Sequence, residues 1–175
     1  FREDLILSLH KNKYKIIIAA PYDKYLSKII NKNIIFCPIT LKKNKKSFFI
    51  DLFYLFQLIY IILKYKPKYT IAYTIKPNIY CSVASIFSKN KIINNITGLG
   101  STIIKNNYFS KIIFFTYKLT LKRSYKVVFQ NREDMQLFLN KNITSRKNSI
   151  LIPGSGINVS KYNYKVSINN DPFTF

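Results

Sequence analysis

The stretch Ile92-Ile93-Asn94-Asn95-Ile96-Thr97-Gly98-Leu99-Gly100 decides how the rest of the chain is interpreted. An apolar run typical of a strand ends here in Thr-Gly-x-Gly, and the segment that follows is polar. The chain has four glycines, and two of them stand in this stretch. Glycine is favoured where φ is positive or where another molecule approaches the backbone, so this strand end predicts a binding loop. An ordinary turn after the strand is the alternative interpretation.

The composition describes one globular domain with a strong positive charge. The 175 residues are 48% hydrophobic, which excludes a disordered chain. The net charge of +22 favours an anionic partner such as nucleic acid, an acidic lipid surface or a phosphorylated substrate. Many lysines stand beside asparagines, so solvated loop lysines are an alternative source of the charge. Cys37 and Cys81 lack metal-ligand spacing and His10 is the one histidine, so we predict buried free thiols and no metal site.

Short apolar runs alternate with helical patterns along the chain. Tyr14 to Ala20, for example, is a continuous apolar run stopped by Pro21, which is typical of a strand buried on both faces of a parallel sheet. Strands that alternate with helices form right-handed βαβ units, so we predict an α/β fold with a Rossmann-like parallel sheet flanked by helices. The predicted strands are 14–20, 33–37, 69–73, 91–96, 126–129 and 149–152, and the predicted helices are 3–9, 22–30, 48–63, 77–87, 109–123 and 132–139.

One predicted helix is apolar enough to raise the question of a membrane span. Between residues 51 and 63, only Asp51 and Gln57 interrupt the apolar side chains. A span needs roughly 20 apolar residues, whereas this segment is shorter and has a carboxylate in its first turn, where the helix dipole favours it. We therefore predict a helix that is buried or touches a membrane without crossing it.

Polar or small residues follow four of the predicted strands, at 74–78, 97–100, 130–134 and 153–158. Because the strands are parallel, these segments meet at one edge of the sheet. Backbone N–H groups of the glycine loops, together with Lys76, can bind a phosphate or sugar hydroxyls there. Lys76 as a solvated lysine and Asn131 as a helix N-cap are the alternatives. The sequence has no Walker loop, no Gly-x-Gly-x-x-Gly and no nucleophile elbow around Ser155, so it does not indicate a P-loop, a dinucleotide fold or a serine hydrolase.

Taken in order, the motifs of this chain resemble the amino-terminal half of retaining GT-B glycosyltransferases. They are most similar to bacterial enzymes that extend lipid-linked oligosaccharides, O-antigens and capsules. The resemblance covers nearly the whole chain and rests on six motifs, which are Phe1-Arg2, Pro21-Tyr22-Asp23-Lys24-Tyr25, Tyr73-Thr74-Ile75-Lys76-Pro77-Asn78-Ile79-Tyr80, Asn95-Ile96-Thr97-Gly98-Leu99-Gly100, Phe129-Gln130-Asn131-Arg132-Glu133-Asp134 and Ile152-Pro153-Gly154-Ser155-Gly156-Ile157-Asn158.

The resemblance implies an enzyme with two Rossmann-like domains and no cofactor. The first domain would bind a lipid-linked or glycan acceptor, the second would bind a nucleotide-sugar donor, and a hexosyl or N-acetylhexosaminyl group would be transferred with retention at the anomeric carbon. Residues 1–162 would form the acceptor-side domain without its first strand, and 163–175 the linker and the start of the donor-binding domain. We therefore expect this chain to be an incomplete enzyme, without activity on its own.

The resemblance also assigns site residues. Thr97 falls where many relatives have an active-site histidine, so Thr97 is the predicted catalytic residue, although a histidine-assisted role is then in doubt. Arg2 follows the position of a loop that lies near the donor diphosphate in the family. The predicted substrate-binding residues are Arg2, Thr74, Lys76, Asn78, Gly98, Gly100, Asn131, Gly154 and Gly156.

Two further classes of partner follow from the charge. A non-catalytic, basic nucleic-acid-binding α/β domain is the alternative function, but the aromatic residues concentrate in apolar runs instead of alternating with Lys and Arg, so no nucleic-acid partner is predicted. Lys42, Lys43, Lys45 and Lys46 precede one apolar helix, and Lys111, Lys118, Lys122 and Arg123 accompany the aromatic helix 109–117. This coincidence predicts an anionic membrane surface as a partner, with the protein peripheral on the cytoplasmic face of the cell membrane.

Overall fold

The computed structural model of the chain describes residues 2–23, 34–40, 48–99, 108–156 and 159. Within these residues the strands are β1 (Ile17–Ala20), β2 (Ile35–Pro38), β3 (Tyr69–Tyr73), β4 (Lys91–Ile96), β5 (Lys126–Phe129) and β6 (Ser149–Leu151). The helices are α1 (Glu3–Lys11), α2 (Phe48–Tyr65), α3 (Ile75–Ala84), α4 (Tyr108–Thr120) and α5 (Arg132–Asn140), with 3-10 turns at Ser85–Phe87 and Leu121–Arg123.

The strands form parallel sheets flanked by helices, which confirms the predicted Rossmann-like α/β fold. One sheet contains β1 and β2, and the other contains β3, β4, β5 and β6 in sequence order. The sequence predicts one sheet, whereas the described strands form two. The reason is that no strand among the described residues lies between β1 and β3 and bonds to both. Each of these two strands thus has an edge without a strand partner in the described part of the chain.

Several element bounds agree with the sequence prediction. The bounds of β3, β4 and β5 are those predicted, since each strand is a short, mainly apolar run that is followed by a polar residue. Helix α3 begins at Ile75, two residues before the predicted start at Pro77, and the proline ring is tolerated because it lies in the first turn. Most of the predicted helix 22–30 lies outside the described residues.

The first cluster of buried apolar side chains joins helices α2 and α3 to strands β3 and β4. From α2, Tyr54 and Leu58 pack near Ala72 of β3 and Ile92 of β4, all at most 4% exposed. Their spacing along α2 is one helical turn, so a single side of this nearly all-apolar helix is buried. The hydrophobic effect therefore fixes α2 against the sheet along one stripe.

The second cluster joins helices α4 and α5 to strands β4 and β5. Its centre is Phe138 of α5, which is fully buried. The ring of Phe138 lies 5.3 Å from that of Phe129 and 5.4 Å from that of Tyr117, centroid to centroid. Tilted and edge-on contacts of this kind add to the free energy gained from burial alone.

Both clusters lie on the same face of the four-stranded sheet. In the strand register Ala72 is opposite Asn94 and Phe129 is opposite Ile96. Side chains alternate along a strand, so residues 92, 94 and 96 of β4 point to one side, together with Ala72 and Phe129. Helices α2, α3, α4 and α5 therefore form one layer over this face, as right-handed crossovers require.

A buried polar network ties the middle of this layer to the sheet. The Asn94 side chain donates to the backbone carbonyl of Asn78 (3.0 Å) and to the hydroxyl of Ser82 (3.0 Å), both on α3. Its carbonyl oxygen accepts from the hydroxyl of Ser124 (2.8 Å), just before β5. The Asn78 side chain in turn donates to the backbone carbonyl of Asn95 (2.9 Å). Fully satisfied networks of this kind hold elements in a single arrangement.

Both cysteines are buried free thiols, as the sequence predicts. Burial raises the pKa of the Cys81 thiol to about 12. Because the thiolate is the reactive form, Cys81 is unreactive at neutral pH. Its place beside Ala84 in the cluster around α2 and α3 makes it a packing residue.

We expect the substitution Asn94→Ala to lower the free energy of unfolding by about 3 kcal/mol, because it leaves several buried donors and acceptors without partners. The substitution Ser124→Ala removes one hydrogen bond of the same network and should cost about 1 kcal/mol. Urea denaturation followed by circular dichroism measures both values. Equal costs for the two variants would mean that Asn94 does not organise the network.

Candidate functional site

The strand register brings the ends of β3, β4, β5 and β6 to one edge of the sheet. Tyr73 is paired with Asn95, and Phe129 is paired with both Ile96 and Leu151. Neighbouring strands are about 4.8 Å apart, so the four ends span about 14 Å. The loop residues that follow them are called the strand-end rim, which consists of residues 74–76, 97–98, 130–131 and 153–156.

Thr74 holds a strained backbone conformation in the strand-end rim. Its φ of 69° and ψ of 168° lie in a region that is populated almost exclusively by glycine. Thr74 is the N-cap of α3, yet its side chain makes no capping hydrogen bond and is exposed. Strain of this kind costs about 1–3 kcal/mol and is concentrated at functional sites. The conformation of Thr74 thus marks the β3–α3 turn as a candidate site.

Lys76 is held at the rim by an acid from another helix. Its ammonium lies 2.7 Å from the carboxylate of Asp51, in the first turn of α2, and both side chains are partly exposed. Tyr80 lies one turn further along α3, and burial together with the negative charge of Asp51 raises the pKa of Tyr80 to about 12. An ammonium has three donors and Asp51 takes one, so Lys76 can also bind a phosphate or sugar oxygen.

Arg2 reaches the rim from the start of α1. Its guanidinium carbon lies 4.3 Å from the ring centroid of Tyr73, the last residue of β3. Such cation–π contacts stabilise the cation and fix its position. Burial raises the pKa of Tyr73, while the charge of Arg2 acts in the opposite direction. A second positive charge is therefore located beside the end of β3.

Thr97 and Gly98 follow the end of strand β4, between the Thr74 turn and the end of β5. Gly98 has a φ of 119°, which only glycine adopts without strain, and a Cβ added there would have no atom within 4 Å. The backbone of Gly98 is exposed, and the side chain of Thr97 is partly exposed. A hydroxyl and a main-chain amide are therefore available at the centre of the rim, whereas Gly100 lies outside the described residues.

The loop after β6 completes the rim. Gly154 and Gly156 both have positive φ, and neither has an atom within 4 Å of an added Cβ. The Gln130 side chain at the end of β5 donates to the hydroxyl of Ser155 (2.8 Å), which joins this loop to its neighbour. The backbone here also has open space on its outer side, the arrangement expected where a ligand approaches the main chain.

Two predicted site residues have side chains that are already committed within the fold. Asn131 is the N-cap of α5, where its side-chain oxygen accepts from the backbone N–H of Asp134 (2.7 Å). Asn78 is fully buried in the Asn94 network. Direct contact of either side chain with a substrate stays a prediction, while the other described site residues, which are Arg2, Thr74, Lys76, Thr97, Gly98, Gly154 and Gly156, lie at the rim or beside it.

The sequence analysis did not select Gln130, which belongs to the rim, or Asp51, which contacts the rim through Lys76. Asp51 could be recognised only as a lone carboxylate in an apolar helix, because its partner Lys76 is 25 residues further along the chain. Gln130 follows an apolar strand, as many loop residues do, and only the fold reveals its bond to Ser155. Within the described residues there is no group of three or more His, Cys, Asp or Glu that could hold a metal ion.

A hollow of about 600 Å³ opens beside the rim between β6 and α5. Arg132 and Leu151 border it at the rim end. The residues that line it are Arg132, Glu133, Met135, Gln136 and Leu151. This hollow is wide and open, so it can accept an extended or flexible molecule more readily than it can enclose a small one.

No family model and no curated protein matches the chain. Solved structures do match it. HepE of Anabaena, solved in complex with UDP-glucose, superposes with a TM-score of 0.64 at 13% identity, over 93% of this chain and 42% of that one. The chain has a GT-B-type, Rossmann-like fold.

Two further structures share this fold. A glycosyltransferase of Rickettsia africae matches with a TM-score of 0.57 at 16% identity, over 85% of this chain and 37% of that one. A protein of Listeria monocytogenes named as a UDP-N-acetylglucosamine 2-epimerase matches with a TM-score of 0.61 at 14% identity, over 85% and 40%. At such identities the likeness shows the fold alone. The chain spans about two fifths of the length of the structures it matches.

We expect Thr74→Gly to raise the free energy of unfolding by about 1 kcal/mol, because glycine adopts this φ and ψ without strain. The control Thr116→Gly removes a threonine from the interior of α4 and should lower the same quantity by about 1 kcal/mol. Chemical denaturation of both variants gives the comparison. A destabilised Thr74→Gly variant would show that no strain is stored in this turn.

Proposed function

We propose that this chain is the acceptor-binding part of a retaining glycosyltransferase. The full enzyme transfers a hexosyl or N-acetylhexosaminyl group from a nucleotide sugar to a lipid-linked or glycan acceptor. The observation that carries this proposal is the strand-end rim, where exposed glycine backbone, a strained threonine and two cations lie at one edge of a GT-B-type fold. HepE, which shares the fold, was solved with UDP-glucose, and this supports a nucleotide sugar as the donor.

In the proposed reaction, the bond between the anomeric carbon and the diphosphate oxygen breaks, and its electron pair leaves with the nucleoside diphosphate. A bond forms between the anomeric carbon and an acceptor hydroxyl oxygen on the face that the diphosphate leaves. The hydroxyl proton passes to a phosphate oxygen of the leaving group. Atoms and charge balance without an oxidant or a reductant.

The rim residues have distinct roles in this proposal. The Thr97 hydroxyl and the Gly98 amide hydrogen-bond to the reacting sugars and hold the acceptor oxygen near the anomeric carbon. Lys76 and Arg2 stabilise the negative charge that develops on the diphosphate. Asp51 keeps the Lys76 ammonium at the rim through the 2.7 Å ion pair. Positioning of this kind accounts for a large part of enzymatic rate acceleration.

A second reaction class deserves a direct test because the epimerase of Listeria monocytogenes shares the fold. An epimerase would convert one nucleotide sugar into another without an acceptor. Transfer instead consumes an acceptor and releases free nucleoside diphosphate. The nucleic-acid-binding alternative has no support among the matched structures, whose names refer to sugar chemistry.

The experiment that tests the proposed function uses the full-length protein, a set of nucleotide sugars and a mixture of polyprenyl-linked acceptors. We expect acceptor-dependent release of nucleoside diphosphate and, by NMR, retention of the anomeric configuration in the product. The 175 residues alone should show no turnover, because they span about two fifths of the matched structures. Release without acceptor, or formation of an epimeric nucleotide sugar, would contradict glycosyl transfer.

We expect Gly98→Val in the full-length enzyme to lower kcat/KM by about a hundredfold, because a β-branched residue cannot hold a φ of 119° and moves the Gly98 amide from its position. Asn142→Val is the matched control. Asn142 also has positive φ (52°), but it follows α5 at the opposite edge of the sheet. Its variant should unfold at a similarly reduced denaturant concentration and keep kcat/KM. Equal kinetics for the two variants would remove Gly98 from the site.

A further inference from the structure

Helix α2 turns a stripe of large aromatic side chains away from the protein. Phe49, Phe53, Phe56 and Tyr60 are each more than half exposed, at 80%, 55%, 59% and 61%. Their spacing of four, three and four residues places them on one side of the helix. The opposite side, which includes Tyr54, is buried against the sheet. In the described part of the chain the ring contacts of this stripe lie within α2, where Phe49 contacts Phe48 and Tyr60 contacts Lys64.

Helix α4 repeats the same arrangement. Tyr108, Ile112, Phe115 and Leu119 are all exposed and have the same spacing of four, three and four residues. Tyr117, on the other side of α4, is buried in the second core cluster. Both helices therefore expose an apolar stripe about three turns long, which is unusual for a soluble surface.

The two stripes belong to one surface. Helices α2 and α4 lie on the same face of the four-stranded sheet, and α3 contacts both of them from between. The sides of α2 and α4 that are turned away from the sheet therefore face in a common direction. This surface is called the aromatic face, and it consists of Phe49, Phe53, Phe56, Tyr60, Tyr108, Ile112, Phe115 and Leu119.

The exposed charges on helices α2 and α4, which form the aromatic face, have one sign. Lys111 and Lys118 are exposed on α4, Lys122 follows in the next turn, and Lys64 is exposed on α2. The sequences of α2 and α4 contain one acid, Asp51, whose charge is paired with Lys76. An apolar surface with cationic flanks and no free acid is complementary to an acidic, apolar partner.

We propose that the aromatic face seats the protein on an anionic lipid bilayer. Aromatic side chains on such a surface insert at the level of the headgroups, while flanking lysines extend their ammonium groups to the lipid phosphates. An anionic bilayer offers an apolar interior to the aromatic side chains and phosphates to the lysines. A protein partner of the same area would need a matching apolar patch rimmed by acids.

Helix α2 rests on the bilayer in this proposal and does not cross it. It is long and apolar enough to qualify as a span by length and composition, with a mean hydropathy of 1.6. Its 18 residues extend about 27 Å, slightly less than the hydrocarbon core. Tyr54, Leu58 and Ile62 are nevertheless buried in the protein core, so a span would have to dismantle the first core cluster.

The aromatic face adjoins the strand-end rim. Both helices begin at the edge of the sheet where the rim lies, since Asp51 in the first turn of α2 contacts Lys76. The most exposed aromatic residues, Phe49 and Tyr108, stand at these same helix starts. The rim is thereby held at the lipid surface, where a lipid-linked acceptor would present its sugar. This orientation rests on the proposed function, whereas the lipid-binding surface itself does not.

The test is sedimentation of the purified full-length protein with vesicles of phosphatidylcholine, with and without phosphatidylserine, across a salt series. We expect binding to the anionic vesicles at low salt, weak binding to the neutral ones, and a residual salt-resistant fraction from the inserted aromatic residues. Failure to bind anionic vesicles at low salt would overturn the proposal, and it would leave glycosyl transfer to a soluble acceptor unaffected.

Paired variants test the aromatic and the cationic parts separately. Phe53→Gln with Phe56→Gln should reduce partitioning about tenfold or more, and chiefly the salt-resistant fraction. Lys111→Gln with Lys118→Gln should reduce binding at low salt by about fivefold for each lysine. The matched controls are Tyr14→Gln with Tyr22→Gln and Lys11→Gln with Lys15→Gln, which alter exposed residues outside the helix layer.

All four paired variants alter exposed side chains, so the circular dichroism spectra should stay native. Loss of vesicle binding in the two face variants, with the two controls unchanged, supports the proposal. Equal loss in the lysine variant and its lysine control would mean that net charge alone drives binding, and equal loss in the Phe variant and its Tyr control would mean that exposed aromatic residues anywhere suffice; either result would overturn the assignment to this surface. Self-association that the Phe53 and Phe56 substitutions abolish, in a protein that ignores vesicles, would show that the face joins two copies of the chain instead.

Discussion

The positions of Thr74, Lys76 and Thr97 depend on how the start of helix α3 is tied to the end of strand β4. Asn78, one turn into α3, donates its side chain to the backbone of Asn95, while Asn94 reaches back to α3. Thr74 and Lys76 precede Asn78, and Thr97 follows Asn95, so these two bonds fix the two sides of the rim relative to each other. A purely apolar contact would leave the helix free to slide by a fraction of a turn, because the hydrophobic effect has no direction. The directional bonds of buried amides do not allow that.

The same constraint explains why strain and charge can persist at this edge. Thr74 can occupy a region reserved for glycine only if the helix on one side and the strand on the other are both held in place. Helix α2 is in turn clamped to α3 by the cluster around Tyr54, which brings Asp51 within 2.7 Å of Lys76. Burial of two helix faces thus places a polar group from each helix at the rim. The core and the candidate site are consequences of one packing arrangement.

How much of this could be predicted differs from element to element. The bounds of β3, β4 and β5 could be read from the sequence because each strand is a short, mainly apolar run bounded by polar or turn residues. The start of α3 could not, since Pro77 is an ordinary first-turn residue and nothing in the sequence reports the positive φ of Thr74. The contact of Asp51 with Lys76 spans 25 residues and depends on helix packing. For α2, an almost uninterrupted apolar sequence has no period, so the sequence could not show which side is buried and which forms the aromatic face. Asn78 and Asn131 stood in recognisable motifs, but a motif does not distinguish a side chain that binds a ligand from one that caps a helix or fills the core.

The distribution of glycine indicates which edge of the sheet binds a ligand. All four glycines of the chain belong to the two loops that follow β4 and β6, and the described three have open space where a side chain would stand. At other positions with positive φ this chain has residues with large side chains. Lys13, Lys66 and Asn142 are examples. The φ of Gly98 (119°) itself requires glycine, but the φ values of Gly154 (73°) and Gly156 (67°) are close to that of Lys13 (64°), so turn geometry alone does not account for glycine after β6. Access to the backbone does, because amides without neighbouring side chains can approach sugar hydroxyls and phosphates directly. A fold shared by glycosyltransferases and a protein named as an epimerase is compatible with several reactions. Which of these reactions the protein catalyses depends on which substrates the exposed amides, Thr97 and the two cations at this edge can bind at the same time.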